Sequence, residues 1–173
     1  STYLSSKTFF NKMYSDTIYN LSETFAYNVY TNLPQKIETH KNQFNDFGGF
    51  LKQYITEYGF STYNGYTEEE QSIKLIEQTN CLNKYGVSYS NIYNFWDTGT
   101  DTSSKTQNHG LLHNDYTPKP AYYTMKNYYE NTNGAEYIGT VNLADGLETH
   151  VYDKDGKTKI ITWSTNTNNT ISI

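Results

Sequence analysis

Between Thr24 and Tyr129 the sequence alternates short β-branched and aromatic runs with longer stretches of helical periodicity; past Asn133-Gly134 it changes to a period of two. Strands separated by helices require crossover connections, and crossovers leave neighbouring strands parallel. Residues 24–30, 51–58 and 87–96 read as strands. Helices are expected over 5–20, over 35–47 with Gly48-Gly49 as its stop, after Thr67, and from Pro118-Lys119-Pro120 to about Tyr129. Pro34 reads as loop, as does the polar stretch from Asp97 to Thr117. In the tail, Tyr137–Leu143, Glu148–Tyr152 and Thr158–Trp163 alternate around Asp145-Gly146 and Asp155-Gly156, dipeptides suited to two-residue hairpins.

The sharpest local signal is the helix after Thr67. Thr67 and Glu70 have capping-box spacing, Glu68, Glu69 and Glu70 oppose the helix dipole, and Gly86 suits the position just past the end. These carboxylates therefore read as capping charge. Ile73, Ile76 and Leu82 supply part of a buried stripe.

The fold class that follows is α/β: a partial, half-size barrel of the TIM (β/α)8 type over residues 1–133, then a small antiparallel β unit over 134–173. A complete eight-stranded barrel takes about 250 residues. Such a half barrel would leave open sheet edges, so homodimerisation through them is expected.

Charge and composition narrow the function. The net charge is −5 and no basic stripe is present, which argues against nucleic acid as a partner. No apolar run approaches the roughly 18 residues needed to span a bilayer, so no membrane partner is expected. The opening Ser1-Thr2-Tyr3-Leu4 does not read as a signal peptide. Cys81 is the single cysteine, which leaves no internal disulfide and no cysteine metal site. The glycosylation patterns at Asn20 and Asn168 are expected by chance in so Asn-rich a chain. Aromatic residues are 17% of the chain and 19 are tyrosines, surface suited both to cores and to half-wet sugar clefts.

His109 and His113 stand four apart, but Gly110 and polar neighbours place them in a loop, a substrate-side loop rather than a metal site. Asp153-Lys154-Asp155-Gly156 resembles the start of a calcium loop without its later ligands, so a hairpin turn explains it better. No metal and no cofactor is expected.

Glu57 carries the chemistry. It ends an apolar strand, Leu51–Tyr58, just before Gly59. In a parallel barrel that end faces the active site, and a carboxylate there is costly to desolvate without a role or a partner. The alternative is a strand-end carboxylate paired with a cation.

At these residues the sequence resembles a known family. Ile55-Thr56-Glu57-Tyr58-Gly59 is similar to the end of strand seven in clan A (β/α)8 retaining glycoside hydrolases. Tyr93-Asn94-Phe95-Trp96-Asp97 is similar to strand eight, and Lys119-Pro120-Ala121-Tyr122 to the opening of the eighth helix. Tyr27-Asn28-Val29-Tyr30 looks like strand six, with Asn28 standing where the family often has histidine. The β tail resembles the accessory strands that follow such barrels.

The resemblance implies Glu57 as the catalytic nucleophile, Trp96 as the platform under a sugar, and Tyr30 as a donor to the nucleophile. Asn28, Asn94 and Asp97 join them as substrate-binding candidates. The acid/base residue of the family follows an asparagine, and no Asn-Glu pair occurs here, so that residue is expected outside this chain. The function implied is part of a secreted or cell-surface glycoside hydrolase cutting O-glycosidic bonds of oligo- or polysaccharides. The alternative is a non-catalytic carbohydrate-binding or adhesive module.

Overall fold

The computed structural model describes residues 24–46, 52–143 and 147–164. The expected helix over 5–20, the Gly48-Gly49 stop, the Asp145-Gly146 turn and both glycosylation patterns lie outside them. The chain forms two compact units, residues 1–58 with 85–91, and residues 59–84 with 92–173.

The first unit holds β1 (Thr24–Asn28), α1 (Leu33–Asp46), β2 (Lys52–Tyr58) and most of β3 (Tyr89–Ile92). The sheet order is β1-β2-β3, so β2 is central, and β1 and β2 run parallel. Pro34 lies in the first turn of α1 rather than in the preceding loop. Proline is tolerated there because a first-turn N–H has no helical acceptor. One side of the sheet faces α1: the Phe25 and Tyr27 rings lie 5.1 and 4.6 Å from the His40 ring. On the same side, Gln53 accepts from the Tyr27 hydroxyl at 2.5 Å and donates to the Ile37 carbonyl at 3.1 Å. Val29, Leu33, Ile37, Ile55 and Tyr58 are buried.

The second unit contains α2 (Glu68–Lys84), α3 (Pro120–Thr132) and an antiparallel sheet of β4 (Glu136–Asn142), β5 (Leu147–Lys154) and β6 (Lys157–Ser164). The capping box forms at α2: Thr67 N donates to Glu70 Oε2 at 2.7 Å, and Glu70 N donates to Thr67 Oγ1 at 3.1 Å. Gly86 has φ +67°, the left-handed conformation expected past the helix end. Lys154 pairs with Lys157 across the turn, and Asp155 (φ 55°) and Gly156 (φ 72°) both have positive φ, as a type I′ hairpin needs. The Asp153 carboxylate caps that turn, accepting from Gly156 N at 3.1 Å.

Leu75, Ile76, Leu111, Ala121, Met125 and Tyr128 form the apolar core of this unit. Each large aliphatic buried there contributes roughly 1.5–3 kcal/mol. A polar network ties the β tail to the helices. Tyr152 of β5 donates to Asn80 Oδ1 at 2.5 Å and lies 3.0 Å from the Tyr128 hydroxyl of α3, which accepts from Asn83 at 2.7 Å. Burial raises the pKa of both tyrosine hydroxyls, so they stay neutral donors and acceptors.

His150 of β5 is buried between the Tyr137 and Trp163 rings, at 5.4 and 5.1 Å. Burial, with Lys84 adding repulsion, lowers its pKa to about 4. A folded pKa below the ordinary 6.5 means that the unfolded chain binds the proton first. Stability is therefore full above pH 6.5 and falls as pH drops from 6.5 to about 4, by up to about 3 kcal/mol. Urea unfolding of wild type and His150→Phe across this window should show wild type losing more stability than the variant as pH falls; parallel curves would exclude His150 as the source.

Candidate functional site

β1 and β2 keep simple register from Thr24↔Lys52 to Tyr27↔Ile55, then slip, so that Asn28 stands opposite Glu57. The slip brings the Glu57 side chain to Asn28. The carboxylate is half-buried at the C-terminal end of the central strand. Its Oε2 accepts from the Tyr30 hydroxyl at 2.5 Å and from Asn28 Nδ2 at 3.0 Å. Thr56 Oγ1 donates to Asn28 Oδ1, which fixes the amide so that its NH2 points at Glu57. The chain is held close here too, Val29 N donating to the Glu57 carbonyl at 2.8 Å. Both side-chain donors are neutral, and among the described residues no lysine pairs with Glu57 and none donates to Oε1. Among the described residues, neutral donors alone orient the carboxylate. Asn28, the departure from the family's histidine, supplies a donor to the same oxygen as Tyr30.

Gly59 follows in the second unit. A Cβ there would collide with the Tyr93 carbonyl, so the residue after Tyr58 must be glycine for the chain to pass.

The segment from Tyr93 to Thr117 also lies in the second unit. β3 ends at Ile92, short of the expected Trp96. From Asn94 onward the backbone bonds to the returning loop: Asn94 N donates to His109 O at 3.2 Å, and the Phe95 carbonyl accepts from Leu111 N and Leu112 N at 3.1 and 3.0 Å. Trp96 bridges to Leu112, and Leu112 bridges to Pro118. Gly110 is needed at this crossing, because a Cβ would meet Asp97 N, Leu112 O and the Trp96 backbone. Trp96 itself is 43% exposed. Asn94 is half-buried, and its Oδ1 accepts from Phe95 N at 2.6 Å.

Asp97, expected to meet substrate, is placed otherwise. It is 5% exposed. Its carboxylate pairs with Lys119 Nζ at 2.7 Å and accepts from Gly110 N at 2.7 Å. Lys119 is 1% exposed. A carboxylate committed to a buried cation and a backbone donor serves the loop, not a sugar. Asp101 also serves the loop: Ser103 donates to it through N and Oγ at 2.9 and 2.6 Å, and these bonds lower its pKa.

His109 and His113 separate in environment. His109 is buried with its ring 5.4 Å from Tyr93, and burial lowers its pKa. His113 is half-buried with Nε2 3.4 Å from Glu68 Oε1. Among the described residues no three His, Cys, Asp or Glu side chains converge to hold a metal ion. Among them too, no helix is long and apolar enough to cross a membrane.

The sequence motifs named Glu57, Trp96 and Tyr30 as candidates, and the structure brings the Tyr30 hydroxyl to the Glu57 carboxylate. They did not reveal Lys119 as the buried partner of Asp97; its place between two prolines was the available sign. Tyr116, 66% exposed with its ring 6.3 Å from Trp96, was also missed.

No protein-family model and no curated protein sequence matches the chain. Solved structures do. The fold is similar to part of a solved glycoside hydrolase. It superposes on a family 39 glycoside hydrolase from the gut symbiont Bacteroides cellulosilyticus WH2 with a TM-score of 0.74 at 16% identity, over 92% of this chain and 37% of that one. A β-glucuronidase of Bifidobacterium dentium, complexed with coumarin-3-O-glucuronide, aligns with a TM-score of 0.48 at 18% identity, over 62% and 20%. The chain thus spans little more than a third of the family 39 protein. The glycoside hydrolase resemblance expected from the motifs holds at the level of the fold.

Proposed function

We propose that this chain is the nucleophile-bearing part of a retaining glycoside hydrolase acting on O-glycosidic bonds of oligo- or polysaccharides outside the cell. In this reading β1, β2 and β3 are strands six, seven and eight of an eight-stranded barrel. The observation that carries it is the Glu57 carboxylate at the end of the central strand, with two neutral donors on one oxygen and, among the described residues, no lysine paired with it.

The chemistry follows from that arrangement. Tyr30 and Asn28 hold Oε2, which aims Oε1. Oε1 attacks the anomeric carbon, the glycosidic C–O bond breaks, and a glycosyl ester forms on Glu57 with inversion. The departing oxygen takes a proton from an acid roughly 5–5.5 Å from the nucleophile; that acid lies outside this chain. The same group then removes a proton from water, water attacks the anomeric carbon as its bond to Glu57 breaks and frees the carboxylate, and this second inversion restores the configuration. Trp96 offers its exposed indole as a platform for a sugar ring.

An activated 2-deoxy-2-fluoro glycosyl fluoride tests the assignment on the full-length protein. Fluorine at C2 slows both steps, while the good leaving group keeps the first one accessible, so the ester accumulates. Peptide mapping by mass spectrometry should find the sugar on Glu57; an adduct on any other carboxylate ends the assignment.

The exposed aromatic rings around Trp96 favour a second reading, a carbohydrate-binding module without turnover. It predicts glycan binding that survives Glu57→Gln and Glu57→Ala equally, with no ester trapped.

A further inference from the structure

Three neighbouring aromatic rings are exposed on the loop after β3. Phe95, Trp96 and Tyr116 are 54%, 43% and 66% exposed. Phe95 and Trp96 stand edge to face with centroids 6.5 Å apart, and Trp96 and Tyr116 are tilted at 6.3 Å. Such large apolar groups gain nothing for the fold by facing water.

Tyr116 is the telling member. Its φ is +67°, a conformation that glycine or asparagine adopts cheaply and a bulky side chain rarely does. The turn around it is closed on all sides: His113 N donates to Thr117 O at 2.8 Å and Tyr116 N to His113 O at 3.0 Å. Asp115 accepts from Thr117 N and Oγ1 at 3.0 and 2.6 Å. A glycine would close this turn at lower cost. The chain instead presents an exposed ring there, next to an exposed indole.

Both ring-bearing segments rest on one buried base. Trp96 adjoins Asp97, Tyr116 nearly adjoins Lys119, and Asp97 and Lys119 are paired at 2.7 Å. Leu112 links the two segments through its bridges to Trp96 and Pro118. A platform fixed this way loses little freedom when it binds. The charges beside the turn are acidic: Asp115, whose pKa Thr117 lowers, and Glu68 at His113. Lys119 is buried and committed. The setting suits an uncharged polyol ring with C–H faces, and it repels carboxylates, sulfates and phosphates.

We propose that Trp96 and Tyr116 form a two-ring platform that binds successive neutral pyranose units of an oligosaccharide, Tyr116 taking a sugar beyond the one over Trp96. The proposal rests on the carbohydrate reading above but not on the role of Glu57. It makes the substrate class a neutral oligosaccharide rather than a uronide.

Calorimetric titration of the full-length protein with cello-, xylo- and manno-oligosaccharides and with oligogalacturonides, one to five rings long, tests it. Tyr116→Gly removes the ring while suiting the left-handed backbone, so thermal unfolding should show no loss of fold. Tyr116→Phe keeps the ring. The glycine variant should bind its neutral oligomer roughly five- to tenfold more weakly, with a loss that grows with chain length, and the phenylalanine variant should bind as wild type. A loss independent of length, no loss, tighter binding of galacturonides, or no binding of any saccharide by wild type would overturn the platform. Fluoro-sugar labelling at Glu57 alongside a silent Tyr116→Gly would sink the platform and leave the hydrolase standing; binding through Tyr116 with no labelling would do the reverse.

Discussion

Glu57→Ala in the full-length protein is expected to cut glycosidase turnover by roughly four to six orders of magnitude, the scale seen when a covalent nucleophile is removed. Azide should then restore turnover and yield a glycosyl azide of the opposite anomeric configuration to the substrate. The reason is geometric. In the proposed mechanism, alanine leaves room for a small anion on the side from which Glu57 would attack, and one displacement by azide inverts once where the retaining route would invert twice. Glu57→Gln fills the same space, so it should lose turnover without rescue. Tyr30→Phe provides a graded control. It removes one of two donors to Oε2. A hydrogen bond to a charged group contributes about 1.5–3 kcal/mol, so kcat should fall roughly ten- to hundredfold with little change in KM. Asn28 still holds the carboxylate in that variant. Steady-state kinetics and product anomer analysis by NMR decide the matter; turnover of Glu57→Ala within tenfold of wild type would place the nucleophile elsewhere.

Local structure was legible where one segment carries its own signal. Thr67 and Glu70 announce their capping box, Asp155-Gly156 its turn, and Glu57 its place at a strand end. What stayed hidden depends on segments distant in sequence. The slip that sets Asn28 against Glu57 is a property of the β1–β2 pair, and neither strand encodes it alone. Period counting also undervalues α2. Its buried face includes Gln71, Thr79 and Asn80 beside Leu75, Ile76 and Leu82. Gln71 is accommodated because its amide donates to Phe60 O and Gly110 O at 2.9 and 3.2 Å, and Asn80 because Tyr152 reaches it from β5. The partners of these buried amide groups are revealed only by the fold. β3 read too long for a related reason: Phe95 and Trp96 look like strand residues, yet the backbone there bonds to residues 109–112.

Lys119→Ala is expected to destabilise the protein by about 3–5 kcal/mol at neutral pH, the cost of leaving one member of a buried ion pair without the other. Asp97 and Lys119 are 5% and 1% exposed, so water cannot solvate the stranded carboxylate. Its remaining donor is Gly110 N at 2.7 Å. Lys119 has little freedom to be elsewhere: Pro118 and Pro120 flank it, and its N–H donates to Leu111 O at 3.0 Å. The charge itself is not what the fold requires. Asp97→Asn with Lys119→Met keeps an acceptor for Gly110 N, fills the lysine's space with an unbranched apolar chain, and removes both charges. Replacing a buried pair by groups of similar volume is often neutral, so the double variant should recover to within about 2 kcal/mol of wild type. Urea unfolding of the two singles and the double completes a cycle whose coupling term isolates the pair. A loss below about 1 kcal/mol for Lys119→Ala would mean that water reaches Asp97. The loop bearing Trp96 and Tyr116 would then lack the rigid base that its exposed rings need.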